Sequence, residues 1–241
     1  MQALKFKTAF IVSSICAVGL FLSSCSTRAE TGSEPRHAQR AVDNYNKKHE
    51  RFVKAAKEGN IDLLFIGDSI TEYWLSDGKS VWDSEFAKWN AGNFGISGDT
   101  TYGVLARLNE ELAGISPKVT VLMIGTNDLS HGDPPETIAN NIGEIVKTIK
   151  KRLPSTKILV LGILPRGYAK DRVRRSIEKV NEITAKLDNG KDIKFLDIGN
   201  SFVDKAGDVP LEVMPDLLHL SAKGYKIWAD CIRDYLTEWF D

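Results

Sequence analysis

One of the chain's four histidines, His219, stands three positions after a carboxylate in Asp216-Leu217-Leu218-His219. On one turn, that carboxylate can hold the second ring nitrogen and fix the tautomer, which frees the other nitrogen to act as a base. A base of this kind needs a nucleophile to activate, and a serine hydroxyl is a common one. Ser69 supplies a candidate, because the apolar run Ile61–Ile66 breaks off in Gly67-Asp68-Ser69. By itself Gly-Asp-Ser is equally a plain turn, since these residue types dominate turns. An Asp-x-x-His spacing alone is also weak. Two later breaks of the same kind add candidates: Gly98 in Ser97-Gly98-Asp99-Thr100 and Asn127 in Gly125-Thr126-Asn127-Asp128. His131 follows the second of these closely enough to compete with His219. His49 lies on an apolar helical stripe and reads as packing or capping. No further ligand cluster accompanies the histidines, so no metal site is expected.

These candidates are far apart in sequence, and the elements between them must bring them together. Short apolar runs predict strands at Ile61–Ile66, Asn93–Ile96, Val119–Ile124, Lys157–Gly162 and Ile193–Leu196. Helical stripes separate them. The first contains Val42, Tyr45, Phe52 and Ala56, with Gly59 placed to stop it. A helix over Tyr102–Leu112 has Asp99 or Thr100 as its cap. Another opens at Pro135 and buries Ile138, Ile142, Ile145, Val146 and Ile149. Helices over Arg172–Leu187 and Ala222–Phe240 complete the set. Strands alternating with helices predict an α/β fold: a three-layer α/β/α sandwich around a parallel sheet of about five strands. In such a sheet Ser69, Gly98 and Asn127 all follow strand ends at the carboxyl edge, where open α/β folds bind ligands. The fold alone does not specify an activity.

The amino-terminal residues read as a targeting segment. Lys5 and Lys7 precede an apolar run, Ala9–Leu22, and no acidic residue occurs before Glu30. Leu22-Ser23-Ser24-Cys25 resembles the bacterial lipobox, which implies cleavage before Cys25 and lipid attachment to it. The expected organisation is a lipoprotein signal peptide at 1–24, a polar tether at 25–35 and one domain at 36–241. Of the three cysteines, Cys16 would leave with the signal and Cys25 would be modified. Cys231 then remains as a packed thiol, with no disulfide to support the domain. Basic and acidic residues balance at 32 each, which gives no electrostatic footprint for nucleic acid. Membrane contact is expected through the lipid, on a periplasmic or outer-membrane lipoprotein of a bacterial cell envelope.

Taken in order, Gly67-Asp68-Ser69-Ile70, Asn93-Phe94-Gly95-Ile96-Ser97-Gly98-Asp99-Thr100, Gly125-Thr126-Asn127-Asp128 and Asp216-Leu217-Leu218-His219 resemble the SGNH hydrolases, also called the GDSL lipase and esterase family. Within that family the chain is most similar to the catalytic subunits of platelet-activating-factor acetylhydrolase. His49-Glu50-Arg51-Phe52-Val53 and Leu161-Gly162-Ile163-Leu164-Pro165-Arg166-Gly167 extend the likeness. The resemblance implies a flavodoxin-like SGNH-hydrolase fold and a serine esterase without a cofactor. By position it makes Ser69 the nucleophile, His219 the base and then acid, and Asp216 its orienting group. The amides of Ser69 and Gly98 and the side chain of Asn127 would hold the oxyanion. It also implies a short acyl group, acetyl above all, and a possible homodimer.

Ile70, Thr126 and Leu218 flank the catalytic positions and either close an acyl pocket or simply face the core. Tyr73, Trp74 and Trp82 follow the nucleophile and either form a sugar-stacking wall or belong to the core. The substrate expected first is an acetylated carbohydrate or small ester. A phospholipid or lysophospholipid deacylase and a non-catalytic glycan-binding protein on the same fold are the alternatives.

Overall fold

The computed structural model describes residues 34–241. The expected signal peptide, Cys25 and nearly all of the tether lie outside the described residues. Glu34 and Pro35, read from sequence as the end of the tether, instead begin the first helix, α1 (Glu34–Glu58).

The chain then alternates as β1 (Leu63–Gly67), α2 (Ser69–Glu72), α3 (Lys79–Glu85), β2 (Ala91–Gly95) and α4 (Thr101–Glu111). It continues as β3 (Val119–Met123), α5 (Thr126–His131), α6 (Pro135–Arg152) and β4 (Lys157–Leu161), and closes with α7 (Arg172–Thr184), β5 (Ile193–Leu196) and α8 (Ala222–Phe240). All the predicted strands are present, shifted by a residue or two. The predicted helix over Arg172–Leu187 changes to a 3₁₀ turn at Ala185–Leu187. Thr100, rather than Asp99, caps α4 by accepting a hydrogen bond from the Gly103 amide at 3.2 Å.

The five strands are parallel, in the order β2-β1-β3-β4-β5. The chain leaves β1 to one side for β2 and to the other for β3, so the crevice beside β1 is the switch point where doubly wound sheets bind ligands. Register levels the strand ends: Gly67 pairs with Gly95 on one side and with Met123 on the other. Ser69, Gly98 and Asn127 each lie within four residues of these partners, which brings three distant segments to one edge.

Alternation along the strands divides the core into two layers. Leu64, Ile66, Leu122 and Val160 point toward α1, α4, α6 and α7, in a layer made mostly of Ile, Leu and Val. Leu63, Phe65, Val121 and Leu159 point toward α3 and α8, in a layer filled by aromatic rings. Trp74 is 0% exposed and Trp82 6% exposed, both within this second layer. Trp74 packs with its ring centroid 5.1 Å from Trp228 and 4.4 Å from Tyr225. These two tryptophans therefore form no sugar-stacking wall; the helical turns after Ser69 direct their apolar stripe down onto the sheet. Cys231 is a free, half-buried thiol at the margin of the same layer.

Candidate active site

β1 ends in a turn with no space to spare. A Cβ at Gly67 would lie 2.2 Å from Thr71 Oγ1 and 2.4 Å from the Met123 carbonyl, so only glycine fits there. Asp68 then caps α2 by accepting from the Ile70 amide at 3.0 Å. Burial pushes the Asp68 carboxyl up to about 7; the nearby Asp99 and Asp128 add to this and the Ile70 amide opposes it. Ser69, the first residue of α2, is buried to 5% exposure at the sheet's carboxyl edge.

His219 arrives from the other end of the chain. Its Nε2 lies 3.0 Å from Ser69 Oγ, and its Nδ1 lies 2.6 Å from Asp216 Oδ2. The second Asp216 oxygen accepts from the amides of Leu218 at 3.0 Å and His219 at 2.7 Å. Leu217 takes a left-handed conformation, φ 62°, which folds the turn back so that Asp216 reaches the ring. The Gly167 amide, after β4, donates to the Leu217 carbonyl at 3.0 Å and ties this turn to the sheet edge. Burial acts against ionisation of Asp216, but hydrogen bonds from His219 and the two amides hold its carboxyl below the ordinary range. The ring of Tyr73 lies 5.2 Å from that of His219.

Two more candidates meet beside the β2–α4 loop. Gly98 has φ 80°, and a Cβ there would meet nothing within 4 Å. Glycine is required at this position for the turn itself rather than for clearance from neighbouring protein atoms. Asn127, in the first turn of α5, donates through Nδ2 to the Asp99 carbonyl at 2.8 Å. The Asp99 carboxylate accepts from Arg107 Nε at 2.8 Å, and Arg107 also bonds Glu111 and the Phe94 carbonyl. On the other side of Gly98, the Ser97 amide and hydroxyl both donate to Glu72 at 2.6 Å, and Lys48 of α1 donates to the same oxygen at 2.7 Å.

The remaining expectations separate cleanly. His131 is exposed at the end of α5, and among the described hydrogen bonds it makes none with Ser69. His49 packs its ring nitrogens against Glu111 at 2.9 Å and Glu110 at 3.2 Å, which makes it part of a charged group rather than of the apolar stripe. Ile70 is buried in the aromatic layer and faces the core, whereas Leu218 is only half-buried. The Thr126 hydroxyl is buried without a hydrogen-bond partner among the described residues. Among the described residues no three His, Cys, Asp or Glu side chains gather as a metal site would need. Sequence reasoning missed Arg107, Glu111 and Glu72. The available signal was periodicity, because Arg107 and Glu111 fall on the same face of α4 as Val104 and Leu108.

A hydroxyl–imidazole–carboxylate chain at the carboxyl edge of a doubly wound sheet defines the molecule's class: a hydrolytic enzyme of the flavodoxin-like α/β type. Comparison with known proteins narrows this. The sequence profile of the GDSL-like lipase/acylhydrolase family matches residues 65–227. Subunit alpha2 of the human platelet-activating factor acetylhydrolase IB is 40% identical over 185 residues, covering 76% of this chain and 79% of that one. Subunit alpha1 of the bovine enzyme is 39% identical over 179 residues, or 73% and 75% of the two chains. Among solved structures, a Streptococcus pneumoniae chain provisionally described as a platelet activating factor superposes with a TM-score of 0.70 at 27% identity, over 85% of this chain and 100% of its own. An acetylxylan esterase from Geobacillus stearothermophilus shares the fold, with a TM-score of 0.60 at 19% identity over 75% of this chain and 94% of its own. The chain belongs to the GDSL, or SGNH, acylhydrolase family and is a carboxylic ester hydrolase.

Proposed function

We propose that this hydrolase is a serine esterase for short acyl groups, acetyl first among them, carried on a carbohydrate. The single observation behind the mechanism is the continuous chain from Ser69 Oγ through His219 to Asp216, with links of 3.0 and 2.6 Å. Ser69 Oγ attacks the ester carbonyl carbon while His219 Nε2 takes its proton. Asp216 stabilises the imidazolium that results. The negative charge on the former carbonyl oxygen is met by the Ser69 and Gly98 amides and by Asn127 Nδ2. Collapse of this intermediate expels the alcohol, which takes the proton from His219 and leaves acyl-Ser69. Water, deprotonated by His219 in turn, then releases the carboxylic acid and restores the serine.

The name of the acetylhydrolase relatives supports a short acyl group. Support for a sugar as the alcohol comes from a groove of about 550 Å³ beside Gly98, between α1 and the β2–α4 loop. Val42 and Tyr45 give it apolar faces, while Asn44, Lys48, Ser97 and Thr100 give it polar ones. Sugar rings present the same mixture of apolar faces and hydroxyl edges, and the volume lies within the usual range for small-ligand sites. The same relatives favour a second reading, with a phospholipid ester as the substrate. For location, the lipobox-like Leu22–Cys25 supports a lipid anchor at Cys25 on the bacterial cell envelope.

The test compares acetylated xylo-oligosaccharides, acetyl- and octanoyl-p-nitrophenyl esters, and short-chain phospholipids. Acetyl esters should turn over fastest, and Ser69→Ala should abolish turnover while leaving the melting temperature unchanged. A preference for octanoyl esters would sink the short-acyl reading, and a preference for phospholipid would replace the glycan. Incorporation of labelled palmitate should be lost in Cys25→Ser; incorporation that survives would dismiss the anchor.

A further inference from the structure

Behind the pocket is a group of buried charges that the proton relay does not use. Arg107 is 3% exposed, Asp99 4% and Glu111 0%. Charges this deep are uncommon, and an apolar set of the same volume is often as stable or more so. Their geometry suggests what they do instead. Arg107 uses each of its three nitrogens: Nε on Asp99 at 2.8 Å, Nη1 on Glu111, and Nη2 on the Phe94 carbonyl at 2.9 Å. A planar guanidinium held at three points has one orientation, and it imposes that orientation on its partners.

Asp99 is the partner that matters for chemistry. Its peptide nitrogen is bonded to Gly98, and its own carbonyl carries the Asn127 amide at 2.8 Å. Gly98 and Asn127 follow different strands, one in the β2–α4 loop and the other in the first turn of α5, yet both are fixed through this one residue. The loop is held equally firmly one residue before Gly98. Glu72 accepts from the amide and hydroxyl of Ser97 at 2.6 Å, and Lys48 neutralises it at 2.7 Å. Glu72 is also the last residue of α2, the short helix that begins at Ser69. The tripeptide Ser97-Gly98-Asp99 is therefore pinned at both ends by ionised side chains, with the left-handed glycine free between them.

We infer that Arg107 and Glu72 are positioning residues that preorganise the oxyanion site, Arg107 through Asp99 and Glu72 through Ser97. The inference rests on the esterase reading above, in which Gly98 and Asn127 are the donors. Such donors act on charge that exists only in the transition state, so they help only if they are already in place and rigid. Two donors on separate segments need a common anchor to keep one spacing. A buried ion pair on one side and a bridged carboxylate on the other supply that anchor, at a cost in stability that packing elsewhere must offset.

The experiment uses the full chain with p-nitrophenyl acetate, comparing wild type with Arg107→Lys and Glu72→Gln. Arg107→Lys should lower kcat about 10²-fold while KM stays within about twofold, the pattern of an interaction made only in the transition state. Glu72→Gln should show the same pattern with a smaller loss. Affinity for a short-chain boronic acid, which forms a tetrahedral adduct on Ser69, should fall in parallel with kcat. Ile149→Ala, a core truncation in α6 matched for lost melting temperature, should keep its kcat. An Arg107→Lys or Glu72→Gln variant that loses melting temperature but not turnover overturns the inference, as does a fall in its kcat with boronate affinity intact. A crystal structure of Arg107→Lys gives a readout independent of turnover: the Asn127–Asp99 contact should open, and its retention with Gly98 still near φ 80° overturns the inference. If the wild type cleaves no ester, the esterase reading fails while this geometric comparison still decides the clamp.

Discussion

The Asp216–His219 turn and the Ser97–Asp99 loop belong to the same candidate site but are held by different physics. Asp216 and His219 have side chains 56% and 29% exposed, and the hydrogen bonds between them are local to four residues. Arg107 and Asp99, by contrast, have side chains only 2% exposed and join α4 to a loop at the sheet edge. Water screens an exposed carboxylate–imidazole pair and can stand in for the carboxylate, whereas a buried pair has no substitute. The division suits the work. In the proposed mechanism His219 gives up one proton partner for another in each half-reaction, and a light, local mount allows that. The proposed oxyanion donors must not move at all, and the deep mount would provide for it.

The contrast makes an ordered prediction about turnover. Asn127→Ala should cost about 10²–10³ in kcat, the usual loss for one oxyanion donor. Asp216→Asn should cost less, about 10–10²-fold, because solvent can reach Nδ1 of His219 once the charge is gone. Steady-state kinetics on one acetyl ester would check both. The comparison breaks if the order reverses, since the exposed carboxylate would then matter more than the anchored donor.

Much of this was legible in the sequence, and what was not follows a physical pattern. The inner strands β1, β3 and β4 could be read because they are buried on both faces and form continuous apolar runs, and register then placed Ser69, Gly98 and Asn127 at one edge. The Asp216–His219 pair could be read because its contact is local, three residues along one turn. Trp74 and Trp82 remained ambiguous from spacing alone, since an aromatic stripe looks the same facing a ligand or a sheet. Arg107 and Glu111 were overlooked for the opposite reason. A charged residue on a helix ordinarily marks the solvated face, and only their position among Val104 and Leu108 marks them as interior. Asp99 gives no hint by itself that Asn127, 28 residues later, will hang from its carbonyl. Contacts that depend on a loop meeting a distant helix start exist in no single window of sequence.

Asp68 tests whether buried charge on this side of the site is tolerated at all costs. Its carboxyl is pushed up to about 7 by burial, well above the 3.8 of a free aspartate. A raised carboxyl favours folding fully below the unfolded value, and that advantage is lost as pH rises through the folded one. Asp68→Asn keeps an oxygen for the Ile70 amide without the charge. The variant should therefore gain melting temperature relative to wild type, by several degrees, between about pH 4 and pH 8. A difference that does not change over that window would show that Asp68 ionises in the fold without penalty.

The smallest effect is expected where the buried network reaches water. Burial alone would lower the pKa of His49, but hydrogen bonds and charge from Glu111 and Glu110 outweigh it and raise the value above 6.5. Its proton thus shares with Arg107 the neutralisation of Glu111, and its ring is partly open to solvent. The sign follows from the raised value: the stabilisation is complete below the ordinary histidine range and disappears as pH climbs through the folded pKa. His49→Gln should lower stability by under about 1 kcal/mol near pH 5.5, the scale of a partly screened pair, and by almost nothing near pH 9. Urea unfolding at the two pH values would measure it. Activity sharpens the comparison further. If the anchor on Asp99 is as rigid as its burial implies, kcat should be the same in His49→Gln as in wild type at each pH. A kcat that instead falls with the lost proton of His49 would mean that the deep mount is soft at its outer end, and that the two halves of the site differ less than their exposure suggests.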